Sequence, residues 1–345
     1  MNERTILVTG GAGYVGSHAC KALAAAGYLP VSYDNLVHGH EWAVRWGPFE
    51  RGDLLDGNRV LAVLRQYRPT AVMHFAAYCY VGESVTDPLK YYLNNVAGTV
   101  SLLAAMRDAE VDRLVVSSTC AVYGVPDARG LIDEERPRQP VNPYGHSKHT
   151  MEQVVRDAGP AHGLRAVILR YFNAAGADPD GEIGEQHDPE THLIPLILNA
   201  ASGSNGPVTV FGTDYPTPDG TCIRDYVHVQ DLANAHVLGL KYLQESAGVA
   251  AFNLGTGRGY SVREIIDAAR RVTGRDLRIV EGPRRPGDPP ELVADATRAR
   301  RILGWRPDWV DIESVIETAW RWHCGHAVRN PRADGARGLS ALAQS

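Results

Sequence analysis

The chain has 345 residues, 44% hydrophobic and 22% charged, with a formal net charge of -5. That length suits one large domain or two unequal ones, and a mildly acidic chain without a basic stripe speaks against a nucleic-acid partner. No run of about 18 apolar residues occurs, so no membrane span is expected, and five scattered cysteines without a Cys-x-x-Cys suit reduced thiols in a cytoplasm.

The N-terminus enters a strand at once, without the charged and apolar regions of a secretory signal. Thr5 to Thr9 is a short apolar, β-branched run and predicts a buried parallel strand. It leads into Gly10-Gly-Ala-Gly13-Tyr14-Val15-Gly16, and Ser17 to Ala26 then predicts a helix closed by Gly27. Strand, glycine turn and helix in that order form the context of a dinucleotide fingerprint, whereas a plain glycine-rich turn lacks these flanks. Gly10 permits the tight turn, Gly13 lets the backbone approach a pyrophosphate, and Gly16 lets the helix pack close to the strand. The helix N-terminus offers N–H groups to phosphate.

The next strand, 29–33, ends in Asp34. A carboxylate there suits ribose hydroxyls and repels a 2′-phosphate, so NAD is expected rather than NADP. A polar loop follows through Asn35, His38 and Gly39, and Gly52-Asp53-Leu54 closes a third short strand. Asp53 either reaches an adenine amino group or N-caps a helix over 55–66. Thr70 to Ala77 predicts another strand, with Phe75 followed by the small Ala76 and Ala77, which leave room for a cofactor. Residues 78–84 read as a loop, and Pro88 starts a helix through Asn94 to about Met106.

Arg113 to Ser117 is the fifth strand, followed by hydroxyls at Ser118, Thr119 and Tyr123. Hydroxyls at the carboxyl end of a central parallel strand lie where open α/β sheets bind ligands, although simple capping has the same composition. Asn142-Pro143 opens a helix bearing Tyr144 and Lys148, which share one helix face. Tyrosine titrates near pH ~10, and a neighbouring ammonium lowers that value towards a usable base. Ordinary solvated Tyr/Lys pairs have the same spacing, so this pattern draws its meaning from the glycine loop before it. Arg165 to Tyr171 is the sixth strand, and beyond Phe172-Asn173 the alternation breaks down.

The fold class is therefore α/β: a doubly wound, parallel-sheet Rossmann domain over 1–178 and a smaller mixed α/β domain over 179–329. Segments around 221–258 are expected to return to the first domain, and the Ala/Arg/Ser-rich stretch 330–345 reads as a disordered tail. Thirteen histidines form no HExxH-like spacing, so no metal is expected.

Several ordered segments carry a resemblance: Thr9–Gly16, Asp34-Asn35-Leu36, Asp53-Leu54, His74–Ala77, Tyr144 with Lys148, and Arg170–Asn173. They are similar to the extended short-chain dehydrogenases/reductases. Val81–Ser84, Pro88–Tyr92, Gly212–Thr221, Arg224–His228, Asn253–Gly257 and Pro283–Asp288 narrow this to a resemblance to the UDP-glucose 4-epimerase family, from about Thr5 to His323. The resemblance implies a tightly bound NAD, a UDP-glucose or UDP-galactose substrate, a transient 4-keto sugar and a homodimer through helices 88–106 and 144–158. Tyr144 would take the sugar 4-OH proton, Lys148 would hold the nicotinamide ribose and lower the tyrosine pKa, and Thr119 would relay the proton.

The cofactor contacts implied are Gly10, Gly13, Tyr14, Val15, Gly16, Asp34, Asn35, His38, Gly39, Asp53, Leu54, Phe75, Ala76, Ala77, Asn94, Ser117, Tyr144, Lys148, Tyr171 and Phe172. The substrate contacts implied are Ser118, Thr119, Tyr144, Asn173, His192, Leu193, Arg224, Arg285 and Asp288. Guanidinium forks suit a diphosphate. Two positions depart from common members of the family: Cys79 stands where many carry lysine, and Leu292 where some carry tyrosine and others a small residue. UDP-arabinose/UDP-xylose and UDP-N-acetylglucosamine are the alternative substrates. A sugar-nucleotide 4,6-dehydratase would carry Asp-Glu after the threonine, where this chain has Cys120-Ala121, and a non-catalytic NAD sensor would lose the Tyr/Lys pair.

Overall fold

Short β-branched runs become the strands of the central layer. In a computed structural model, which describes residues 4–126, 130–204, 206–285 and 287–329, these are β1 (Thr5–Thr9), β2 (Leu29–Asp34), β3 (Phe49–Arg51), β4 (Ala71–His74), β5 (Arg113–Thr119) and β6 (Arg165–Tyr171). The chain then leaves the sheet through β7 (Asn173–Ala175), β8 (Val208–Phe211) and β9 (Ile223–His228), and returns as β10 (Val249–Leu254). The spatial order is β10-β6-β5-β4-β1-β2-β3, with every pairing parallel. Ile6, Leu7 and Val8 are fully buried, as a strand covered on both faces requires. The order reverses between β1 and β4, and doubly wound sheets bind ligands beyond the carboxyl ends of the strands at such a switch point.

Helices cover both faces. They are α1 (Tyr14–Ala25), α2 (Gly57–Tyr67), α3 (Val81–Thr86), α4 (Pro88–Tyr91), α5 (Gly98–Asp108), α6 (Pro143–His162), α7 (Leu193–Ala201), α8 (Val229–Glu245), α9 (Val262–Thr273) and α10 (Ile312–Arg329). On one face, Leu23 of α1 and Leu232 and Leu240 of α8 pack with Val8, Val115 and Phe252. On the other, Val60 of α2, Leu102 of α5 and Met151 of α6 pack with Leu7 and Val116. Each such fully buried aliphatic side chain contributes about 1.5–3 kcal/mol.

A second core joins α7, α9 and α10 to β8, with Ile197, Ile265, Ile316 and Val210 at its centre. β8 pairs with β12 (Ile279–Gly282), and β9 lies between β11 (Gly259–Ser261) and β13 (Glu291–Leu292) while also pairing β7.

The structure refines the sequence expectation in several places and removes one of the two readings of Asp53. Helix α1 begins at Tyr14, not Ser17, because the extended Gly13 is its N-cap. β3 lies at 49–51, so Gly52, Asp53 and Leu54 follow the strand. Asp53 does not cap α2; Asp56 does, accepting from Arg59 N at 3.0 Å. β4 stops at His74 because the Phe75 and Ala76 N–H groups both turn onto the Thr9 carbonyl. The expected loop at 78–84 contains α3, a helix too short to show apolar periodicity. The helix from Pro88 does run on to Asp108, but through a π turn at Tyr92–Ala97 that buries Asn95 completely. Residues 330–345 lie outside the described residues.

Candidate active site

The glycine loop closes on itself at the end of β1. Gly10 has φ +74, and a Cβ there would fall 2.6 Å from Ala76 N. A Cβ on Gly16 would fall 2.0 Å from Gly10 O, so helix and loop touch backbone to backbone. Helix α1 starts with no side-chain cap and no acidic residue in its first turn, where Tyr14, Val15 and Gly16 lie. Its N-terminal N–H groups are thus directed at an anion-binding space.

Asp34, at the end of β2, accepts from Ala12 N at 3.1 Å and Leu36 N at 2.8 Å, and burial raises its pKa. A Cβ on Gly39 would fall 2.9 Å from Asp34 Oδ1, so only glycine leaves that cradle open. Asp53 accepts from Asn35 Nδ2 and from Leu55 N, each at 2.9 Å, and Leu54 is buried beside Gly98. Ala76 and Ala77 follow β4, and the Phe75 ring lies 4.5 Å from that of His236. These features fit a dinucleotide.

The far wall holds two orphan polar atoms. His38 packs edge-on between Tyr78 and Tyr80, and its Nε2 and the Tyr80 hydroxyl are buried without a hydrogen-bond partner. The Tyr14 hydroxyl donates to Gly176 O at 2.6 Å and so ties the glycine loop to the chain beyond β7.

Tyr144 lies in the first turn of α6, which Asn142 caps through Gly145 N at 2.8 Å. Burial pushes its pKa well above the ordinary value, and hydrogen bonding with Thr119 pulls the other way. Lys148 Nζ donates to Ser117 O at 2.7 Å, and burial brings its pKa down to about 8. The expected lowering of Tyr144 by Lys148 is therefore corrected: in the chain itself burial dominates the tyrosine, and the ammonium is anchored on a strand carbonyl. Ser117 Oγ is 2.5 Å from the Tyr171 hydroxyl. Thr119 Oγ1 accepts from Ala121 N at 3.1 Å and stands at the carboxyl end of β5.

Ser118 points away from this row and donates to Glu152 at 2.6 Å. Glu152 also holds Arg170 through contacts of 2.9 and 2.6 Å. Arg170 continues to the Tyr123 hydroxyl at 2.8 Å, and that hydroxyl donates to Asn253 at 2.7 Å. Sequence reading missed Glu152, although it sits one helical turn beyond Lys148 on the same face. It also missed Asn95, next to the expected Asn94. Asn95 Oδ1 accepts from Tyr78 N at 2.8 Å and from Asn94 Nδ2 at 2.9 Å, and its Nδ2 donates to Ser147 Oγ at 3.1 Å.

The remaining expected contacts come from the second region. Phe172 is buried with Cys120, Val122 and Leu292, and Asn173 pairs with Tyr226 across β7 and β9. His192 is the N-cap residue of α7, and Leu193 is that helix's first residue. Arg224 bonds Asp288 and donates to Ile223 O at 2.7 Å. Arg285 lies over the Phe211 ring at 4.1 Å. Asp225 makes no pair with Arg224; fully buried, it accepts from Thr256 N, Gly257 N and Ala294 N. A third feature has no counterpart in the sequence reading: Glu185, His187, Glu190 and His192 converge in the loop before α7. Burial lowers the pKa of His187, but the Glu185 and Glu190 carboxylates outweigh it and hold the value at about 9.

Comparison with known proteins gives the same fold and chemistry. Residues 6–255 match the NAD dependent epimerase/dehydratase family. The chain is 53% identical over 323 residues to a UDP-glucose 4-epimerase of Rhizobium meliloti, covering 94% of this chain and 98% of that one. A crystal structure of UDP-glucose 4-epimerase from Brucella ovis in complex with NAD is 53% identical, with TM-score 0.90 over 92% of this chain and 98% of that one. A Stenotrophomonas maltophila UDP-glucose 4-epimerase with bound NAD and formylated UDP-arabinopyranose is 40% identical, with TM-score 0.91 over 94% and 99% of the two chains. The chain belongs to the NAD-dependent epimerase/dehydratase family, on the branch that its UDP-glucose 4-epimerase relatives occupy.

Proposed function

We propose that the protein interconverts UDP-glucose and UDP-galactose by reversible oxidation at C4 of the sugar. The observation that carries this reading is the buried Tyr144, in hydrogen-bonding reach of Thr119, with Lys148 anchored on the Ser117 carbonyl at the carboxyl end of β5. NAD, when bound against the glycine loop and Asp34, supplies the hydride acceptor and a cationic ring that favours the phenolate. Tyr144 takes the proton of the sugar 4-OH, and Thr119 relays it. Lys148 holds the nicotinamide ribose. Asn173, His192, Leu193, Arg224, Arg285 and Asp288 hold the UDP, with residues 1–178 as the cofactor domain and 179–329 as the main substrate domain. After C4 becomes a ketone, rotation of the sugar presents its other face, and the hydride and proton return there.

Cys120 argues against a dehydratase, because it stands where that chemistry needs a carboxylic acid, and burial pushes its thiol up to about 11, so it holds its proton at neutral pH and is too weak an acid for the step. Replacing Tyr144 by Phe should lower turnover by about 10²–10⁴-fold while UDP binding stays. Full turnover in that variant would overturn the mechanism. Leu292, buried beside Phe172, borders the proposed sugar site. Incubation with UDP-galactose, UDP-N-acetylgalactosamine and UDP-xylose, read by NMR, decides the substrate; conversion of only the pentose would refute the hexose assignment.

A homodimer is also proposed. Val85, Leu89, Leu93 and Val100 are 63%, 71%, 58% and 47% exposed along α3 to α5, an apolar stripe of the kind that marks an interface. Leu93→Glu should yield monomers in sedimentation; an unchanged sedimentation coefficient would count against this face. All five cysteines are free, which supports a cytoplasmic setting, and galactose metabolism is the proposed context. No helix among the described residues is long and apolar enough to cross a membrane.

A further inference from the structure

The loop before α7 brings four metal-ligand side chains together, and only the His192 Nδ1–Glu190 Oε1 contact among their ion pairs is a directed hydrogen bond. One donor atom from each of Glu185, His187, Glu190 and His192 lies within 4.8 Å of the others. His192 Nδ1 is 3.0 Å from Glu185 Oε1 and 3.0 Å from Glu190 Oε1. His187 Nδ1 is 3.3 Å from Glu185 Oε1 and 3.6 Å from Glu190 Oε2. An imidazole N–H points in one direction, so it does not serve two carboxylates at equal range. His187 Nδ1 indeed makes no well-directed hydrogen bond. Charge-assisted N–H···O contacts close to about 2.7–2.9 Å, and all four of these are longer. Ligand bonds of about 2.0–2.2 Å in a tetrahedral zinc site place donor atoms about 3.3–3.5 Å apart, and the four distances bracket that edge.

A second observation comes from another element. Tyr80 is 6% exposed, yet its hydroxyl has no partner. Its ring packs edge-on to His187 at 5.9 Å and tilted on His192 at 6.3 Å. Glu190 Oε1 is also fixed by the Thr191 and His192 N–H groups, each at 2.8 Å, which holds the second oxygen towards His187.

We propose that Glu185, His187, Glu190 and His192 bind one divalent first-row metal ion, zinc by preference, which clamps the 185–192 loop against the glycine loop. Two imidazoles with two carboxylates suit zinc better than calcium or magnesium, which take oxygen donors. Four protein ligands close the coordination sphere, so the ion is structural rather than catalytic; His192 would bind it through Nδ1, which leaves Nε2 and the main chain for the UDP contact proposed above. Its place explains what it would hold. The Tyr14 ring lies edge-on to His187 at 6.4 Å, and the same loop runs directly into Leu193 at the start of α7.

The test uses untagged full-length protein grown with zinc and dialysed against metal-free buffer. Elemental analysis should find one zinc per chain, lost in Glu185→Gln and His187→Ala. Cobalt loading of the parent protein should give the intense visible bands of tetrahedral coordination, a readout that stands even if a variant fails to fold. No retained zinc with only weak octahedral cobalt bands would overturn the proposal, as would zinc retention unchanged in both variants.

Discussion

Two arginine–carboxylate pairs flank the candidate site, and they are built to opposite ends. The Arg170 and Glu152 side chains are 0% and 1% exposed, and Glu152 contacts Arg170 twice while also accepting from Ser118. Arg224 and Asp288 are 11% and 26% exposed and come from segments 64 positions apart in sequence. The first pair is closed to a ligand by burial: Arg170 reaches only Glu152 and Tyr123 among its bonded partners, and Tyr123 passes the chain to Asn253. The second is partly open to solvent, and on the proposed function its guanidinium would be shared between Asp288 and a diphosphate. The first charge is sealed from solvent on all sides, whereas the second, on the substrate role proposed for Arg224, keeps a partly exposed partner.

Breaking that contrast is the most direct experiment. Arg170→Leu should cost about 3–5 kcal/mol, because Glu152 is left buried and uncompensated. Arg224→Leu, in a partly buried pair, should cost less, about 1–3 kcal/mol, yet weaken UDP binding by about 10–100-fold, the worth of a charged hydrogen bond. Urea unfolding and UDP titration of both variants measure this, and equal stability losses would erase the distinction.

A smaller effect sharpens it through pH. Lys148 is buried like Arg170 but donates to a neutral carbonyl, so burial brings its pKa down to about 8. Between about 8 and about 10.4 the unfolded chain binds more protons at this residue than the folded one. Stability contributed by this residue therefore rises with pH across that window. The stability advantage of Lys148→Met over the parent should shrink from pH 7 to pH 10; a constant difference would mean that the ammonium is not desolvated. The smallest expected change is at Asp288. Asp288→Asn should weaken UDP binding by about ten-fold or less, and unaltered affinity would remove the carboxylate from the proposed substrate contacts.

What the sequence revealed follows from how local each feature is. β1, the glycine turn and the start of α1 lie within one short segment, and so do Tyr144 and Lys148, so spacing alone exposes them. Asp53 and Asp56 are both plausible caps for α2, and only backbone geometry selects Asp56. Helix α3 is invisible because six residues carry no apolar period. The Glu152–Arg170 pair joins a helix to a strand, and nothing in either segment announces the other. The tyrosine pKa misled for a different reason: charge spacing along a helix is readable, but the desolvation that dominates Tyr144 belongs to the assembled fold. The cluster at 185–192 shows the same limit, since its alternating histidines and glutamates match no familiar metal spacing until the loop folds.

The route of β10 has a consequence for how the chain reaches this state. It supplies the edge strand beside β6 only after the excursion through β7, β8 and β9, and α8, which precedes it, covers β5 and β6. A chain stopped at residue 178 would leave one edge of the sheet unpaired and Val115, Val167 and Leu169 without their cover. Such edges invite intermolecular pairing. During synthesis the glycine-loop half must therefore wait, unfinished and prone to aggregate, until residue 254 has emerged. Completing that half depends on non-local closure, which is intrinsically slow.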